Sequence, residues 1–177
     1  MKLAPTLDDA IDIAADVLAK AALLDYRMPR RDDGVTAAWA EIFVDEPIWI
    51  KEALEAVAIH YKKPDPTRLM PGTVLAIVAA IPIGPDSSDE RVDSWLLGCA
   101  QHPYSFAIEE HTGVKTPRWD DTPAGFDTAA AKAWATNGNI VWVREHRDEL
   151  AQGLRRNGHR FADLHRESRP RGALIER

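Results

Sequence analysis

Few residues in this 177-residue chain have the type and spacing that chemistry requires. Cys99, His102 and His111 form the one loose group of soft donors, and no fourth ligand stands near them in the sequence. Their spacing matches no common zinc pattern. His146, His159 and His165 lie among arginines, which disfavour a bound cation. Cys99 sits among Trp95 and Leu96 and reads as a small buried apolar residue. A nucleophilic thiol needs a base and polar surroundings. Glu109 and Glu110 are adjacent, so on a helix they diverge by about 100° and cannot share one acid–base task. None of the ten glycines is followed by lysine, so no phosphate-cradling P-loop exists. G-x-G-x-x-G and G-x-S-x-G are absent as well. The residues nominate no catalytic group, no cofactor site and no metal site. An enzyme with an unrecognised helical active site stays as the weakest of three readings.

The charges carry more information. The net charge is −6. Residues 1–138 hold 13 Lys and Arg against 22 acids, whereas residues 139–177 hold nine Arg against six acids. An acidic body repels nucleic acid. The Arg-rich end, with Arg155, Arg156 and Arg160, and the local "RMPRR" with Arg30 and Arg31 are the places where phosphate contacts could arise. No run of 18 apolar residues exists, so no membrane span is expected. The acids within "MKLAPTLDDAIDIAADV" interrupt any signal peptide. One cysteine allows no internal disulfide, and a cytoplasmic setting is the expectation.

Helices must position whatever contacts exist. Thr6 caps a first helix near 7–25, with Asp8 and Asp9 in its first turn. A Trp39-containing helix is expected at 35–43. Asp45 is expected to cap a third, which shows two apolar stripes, one through Ile50, Leu54 and Val57, the other through Trp49, Ala53, Ala56 and His60. Pro64 and Pro66 end it, and Pro71 starts a fourth helix buried through Val74, Ile77, Val78 and Ile81. "IPIGPDSSDE" reads as a boundary near 82–87. Ser87 and Glu90 have capping-box spacing for a fifth helix that stops before His102. A short helix near 104–111 follows, then one from Asp127 to about 136 stopped by Gly138. A further helix over 140–156 is stopped by Asn157-Gly158. "NIVWV" passes for a strand on composition, yet no second strand is there to pair with it. The expected fold is all-α, a bundle of about seven to eight helices with an Arg-rich C-terminal end. Its expected divisions are an N-terminal domain at 1–81, a second helical segment at 88–158 and a polar tail at 159–177.

Helices two to four do not make a helix-turn-helix. The Tyr61–Pro71 connection is too long, and "PGTVLAIVAA" offers only Thr73 to a base edge.

Residues 16–80 run from an apolar helix through "DYRMPRR", "AAWAEIF" and "EALEAVAIHY" to "RLMPGTV". In this order the segment resembles the small helical domain of phage replisome organisers of the helicase loader and inhibitor type, proteins encoded by many actinobacterial phages. Asp25, Tyr26, Trp39, Ala53, Ala56, Val57, His60, Tyr61, Arg68, Met70, Pro71 and Val74 carry the likeness, over a little more than a third of the chain. The resemblance implies a non-enzymatic replication accessory protein that contacts a replicative helicase or another host replication protein, without ATPase activity of its own. Residues 88–158 depart from it, because they read as folded where a short loader would be mostly tail. Trp, Tyr and Arg dominate protein interfaces, so the candidate partner contacts are Arg30, Arg31, Arg68, Trp119, Arg155, Arg156 and Arg160. The alternative reading is a nucleic-acid-binding protein that acts through its basic tail.

Overall fold

The computed structural model describes residues 1–29 and 32–167. Among them the chain is all-helical, with eight helices and no strand. They run α1 (Leu7–Leu24), α2 (Asp33–Phe43), α3 (Ile50–Tyr61), α4 (Pro71–Ala80), α5 (Asp89–Ala100), α6 (Ala107–Thr112), α7 (Thr128–Glu145) and α8 (Arg147–Glu167). Two compact units result. The first comprises Met1–Ile81 with Ser87–Gly98, and the second Pro82–Asp86 with the chain from Cys99 onward.

Local chemistry accounts for most helix starts. Thr6 and Asp9 close a capping box on α1: the Asp9 amide donates to Thr6 Oγ1, and the Thr6 amide donates to Asp9 Oδ2 at 2.9 Å. Asp32 caps α2 through the Val35 amide at 2.9 Å, and Asp127 caps α7 through the Ala130 amide at 2.8 Å. Pro71 opens α4, where its missing N–H costs nothing.

The first unit packs α1–α4 around one core. Ala10, Ala14, Ala21, Ala40, Ala53 and Ala56 are fully buried beside Val17, Phe43, Ile48, Val57, Leu69 and Val74. The small alanines bring helix axes close, and the branched and aromatic side chains fill the space between them. Of the two stripes on α3, the core takes the one carrying Ala53, Ala56 and His60, together with Val57, and leaves Ile50 exposed.

Helix α5 is tied to this unit by polar side chains. Glu52, 2% exposed, accepts from the Ser88 amide and from Ser88 Oγ, both at 2.8 Å. Arg91, 8% exposed, donates through Nη2 to the carbonyls of Val78 at 2.9 Å and Ile81 at 2.6 Å. Ser94 Oγ donates to the Leu3 carbonyl at 2.6 Å. These bonds explain why α5 as far as Gly98 returns to the first unit instead of opening the second. Ser88, not Ser87, accepts the Arg91 amide at the helix start.

Three other boundaries differ from expectation. Asp45 does not cap α3. Residues 44–49 turn so that Ile48 and Trp49 are buried, and α3 begins only at Ile50. Gly138 does not stop α7, which runs unbroken to Glu145. A Cβ at Gly138 would lie 2.3 Å from the Trp119 ring, so the glycine serves a close approach inside the helix. Asn157-Gly158 does not end α8. The Asn157 side chain donates to the His111 carbonyl at 3.1 Å and the helix continues past it.

The second unit packs α6 on α8. Gly153 makes this contact, since a Cβ there would meet the Thr112 carbonyl oxygen at 2.3 Å. Val143, Leu150 and Leu154 are buried, as is Asn139, whose Nδ2 donates to the Ala100 carbonyl at 3.1 Å. Trp134 and Trp142 are each half-buried, as is Trp95 on α5 in the first unit.

Candidate protein-contact surface at the α3–α4 elbow

The elbow between α3 and α4 spans residues 62–70. It is fastened at several points. His60, at the end of α3 and 3% exposed, places Nε2 2.7 Å from the Thr67 carbonyl. That carbonyl can only accept, so Nε2 carries the proton in this contact. Leu69 is fully buried and anchors the far side of the loop in the core. Asp65 takes a left-handed conformation, φ 51°, which aspartate tolerates better than most residues.

A second fastening comes from the loop after α1. Arg27 grips Asp25 with two parallel bonds, Nε to Oδ1 at 2.8 Å and Nη2 to Oδ2 at 2.9 Å. The same Nη2 donates to the Pro66 carbonyl at 2.8 Å. Tyr61 Oη donates to Asp25 Oδ2 at 3.2 Å. One guanidinium thus ties the end of α1 to the elbow, and one carboxylate gathers both Arg27 and Tyr61. The Arg27 bonds hold the Asp25 carboxyl down at about 2, well below its ordinary value. Burial, followed by the Asp25 charge, raises the Tyr61 phenol.

This fastening presents exposed side chains at one end of the unit. Tyr26, between Asp25 and Arg27, is 95% exposed, and Leu23 is 86% exposed. Leu24 and Met70 are about half exposed. Arg68 is exposed on the stiffened loop, with no hydrogen-bond or ion-pair partner among the described residues.

The other sequence candidates fall elsewhere. Arg30 and Arg31 lie outside the described residues. Trp119 is half-buried, edge-to-face with Trp134 at 5.4 Å and seated on Gly138. Arg155 and Arg156 lie on α8, the first half-buried and the second exposed. Arg160 continues α8, and its side chain lies outside the described part.

No group of three or more metal-ligating side chains converges among the described residues. His111 Nδ1 is spent on the Ala107 carbonyl at 2.9 Å. Burial pushes the Cys99 thiol up to about 11, which keeps it protonated and unreactive near neutrality. Sequence reading missed Arg27, the residue that joins α1 to the elbow. Its only local signal is the Asp-x-Arg spacing with Asp25, and the Pro66 contact 39 positions away leaves no trace in the sequence.

Comparison with family models, curated proteins and solved structures gives no match for this chain.

Proposed function

We propose that this chain is a non-enzymatic replication accessory protein of a phage or prophage, and that the elbow end of its first unit contacts a replicative helicase or another host replication protein. The observation that carries the reading is the elbow itself. Arg27 and His60 fix the elbow, and Arg68 and Met70 on it and Tyr26 in the loop after α1 remain open. Fixing a loop before binding reduces the ordering cost that association would otherwise incur. Tyr and Arg are also the residues that most often dominate interface energetics. The resemblance of residues 16–80 to helicase loader and inhibitor proteins supplies the class of partner. The positions that carry it include Asp25, Tyr26, Tyr61, Arg68 and Met70, all at or beside the elbow.

The test is affinity capture from an actinobacterial host lysate, with proteins identified by mass spectrometry. Wild-type chain is expected to retain the replicative helicase or a partner of it, and the Tyr26→Ala, Arg68→Ala double variant to lose it while keeping its helical spectrum. Recovery of no replication protein by the wild type, or undiminished recovery by the folded double variant, would refute the proposal.

A further inference from the structure

Charge sets the elbow apart from the unit that carries it. Residues 1–81 hold nine Lys and Arg against 13 Asp and Glu. The elbow reverses that balance, with Lys62, Lys63 and Arg68 against Asp65, all of them exposed. None of these side chains makes a hydrogen bond or ion pair among the described residues. The neighbouring Arg27 charge is already met by Asp25 at 2.8 Å. The α3 dipole, negative at its C-terminal end, favours cations here but offsets only about half a charge, so a net positive surface remains.

The fastenings gather these cations. His60 and Thr67 are seven positions apart, and their 2.7 Å contact turns the chain back, so Arg68 returns to the end of α3 that bears Lys62 and Lys63. Tyr26 joins the same end. Asp25 before it accepts from Tyr61 Oη at 3.2 Å, and Arg27 after it donates to the Pro66 carbonyl at 2.8 Å. Both chain neighbours of Tyr26 are therefore bonded to the elbow or its root, while Tyr26 itself is 95% exposed. Met70 closes the elbow and is 53% exposed.

Cations beside exposed apolar side chains suit a partner segment that carries carboxylates and an apolar residue together. Complementary charge steers the encounter and fixes orientation, and the apolar contact supplies affinity. A nucleic-acid strand is charged along its whole length and would continue from the elbow across a unit with an excess of acids. An acidic protein segment ends where its carboxylates end. The Met70 side chain offers nothing to a phosphate.

We infer that the elbow receives an acidic segment of the partner protein, with carboxylates on Lys62, Lys63 and Arg68 and an apolar side chain against Tyr26 and Met70. The inference rests on the reading of the elbow as a protein-contact surface and adds the chemistry of what it contacts.

The experiment selects binders from a random peptide library against the full chain, with a Lys62→Glu, Lys63→Glu, Arg68→Glu variant as counter-target. Peptides kept by the wild type alone are expected to be rich in Asp and Glu and to carry a Leu, Phe or Tyr. In fluorescence anisotropy the leading peptide should bind the charge-reversed variant roughly tenfold more weakly, since each exposed ion pair contributes a modest factor. Its affinity should fall between about 0.01 M and about 1 M salt, as the Debye length shrinks from about 30 to about 3 Å. Tyr26→Ala should weaken it about fivefold and leave the salt dependence unchanged. A Lys51→Glu, Lys115→Glu, Lys132→Glu variant makes the same change in net charge at exposed positions outside the elbow and should bind as the wild type does. If the elbow variant fails to fold, Arg68→Glu alone should still weaken binding about threefold. The inference is overturned by enriched peptides that are neutral or basic, by the absence of any peptide that distinguishes wild type from elbow variant, by equal loss in the Lys51, Lys115 and Lys132 variant, or by displacement of the peptide by an equal concentration of oligodeoxythymidine. Acidic peptides with no replication protein captured from lysate would sink only the helicase reading. A captured helicase with no acidic peptides would sink only this inference.

Discussion

Glu52→Ala is the most informative single change in the first unit. The Glu52 carboxylate is 2% exposed and accepts two 2.8 Å bonds from Ser88, one from the amide and one from the hydroxyl. It is also the main negative charge acting on buried Arg91, whose own pKa is pulled down by burial and pushed up first by Glu52. Truncation leaves two Ser88 donors without their acceptor, each worth about 1–3 kcal/mol if it stays buried. It also removes the larger of the two carboxylate charges acting on the Arg91 guanidinium, leaving it with the Val78 and Ile81 carbonyls and the weaker influence of Glu55. Removing one partner from a buried charged arrangement costs about 3–5 kcal/mol in total, because the surviving charge remains desolvated. Glu52→Gln keeps an acceptor for the Ser88 amide and loses the charge, so it should cost about 1–2 kcal/mol, the difference between charge-assisted and neutral hydrogen bonds. Urea unfolding followed by circular dichroism measures both. A loss of about 4 kcal/mol would lower the thermal midpoint of a unit this size by 15 °C or more. Wild-type-like stability of Glu52→Ala, within about 0.5 kcal/mol, would refute the claim that this carboxylate fastens α5 to α3. So would equal losses for Ala and Gln.

Asp25 gives a pH signature. Its folded value of about 2 lies below the ordinary 3.8, so its stabilisation is fully present above about pH 4 and is lost as pH falls toward 2. Asp25→Asn should flatten acid unfolding of the first unit in that window, and an unchanged acid profile would count against the Arg27 clasp. Gly138→Ala should displace Trp119, because the new methyl would lie 2.3 Å from its ring. Overpacking of about 1–3 kcal/mol should exceed the gain of about 1 kcal/mol in helix propensity, and the tryptophan emission should shift to the red; a more stable variant with unshifted emission would contradict this packing. Cys99, with its thiol raised to about 11, should resist a disulfide reagent at pH 8 in the native chain and react fully in denaturant. Equal native and denatured rates would contradict the raised thiol.

The all-helical fold was legible because helix signals are local. Thr6, Asp127 and Pro71 act within one turn of their own position, and the apolar spacing of α1 and α4 needs no distant partner. Some local signals pointed elsewhere because tertiary contacts overrode them. Gly138 and Gly158 carry a stop signal by propensity, yet Trp119 occupies the bare face of the first and α8 runs on through the second. Asp45 is a good cap by type, but burial of Ile48 and Trp49 outweighs it.

The candidate surfaces divide in the same way. Arg68 could be named from the chain, since a Pro-bounded loop is a property of a few neighbouring residues, whereas the exposure of Tyr26 is seen only in the structure. The bond from Arg27 to Pro66, the Glu52–Ser88 pair and the seating of Trp119 on Gly138 join residues far apart in the chain, and only the packing of helices brings them together. Composition and periodicity determined that this protein is a set of amphipathic helices with a basic end. Tertiary structure decided which face of α3 is buried, which unit holds α5 and which arginines are fastened, because those outcomes depend on competition for the same interior space.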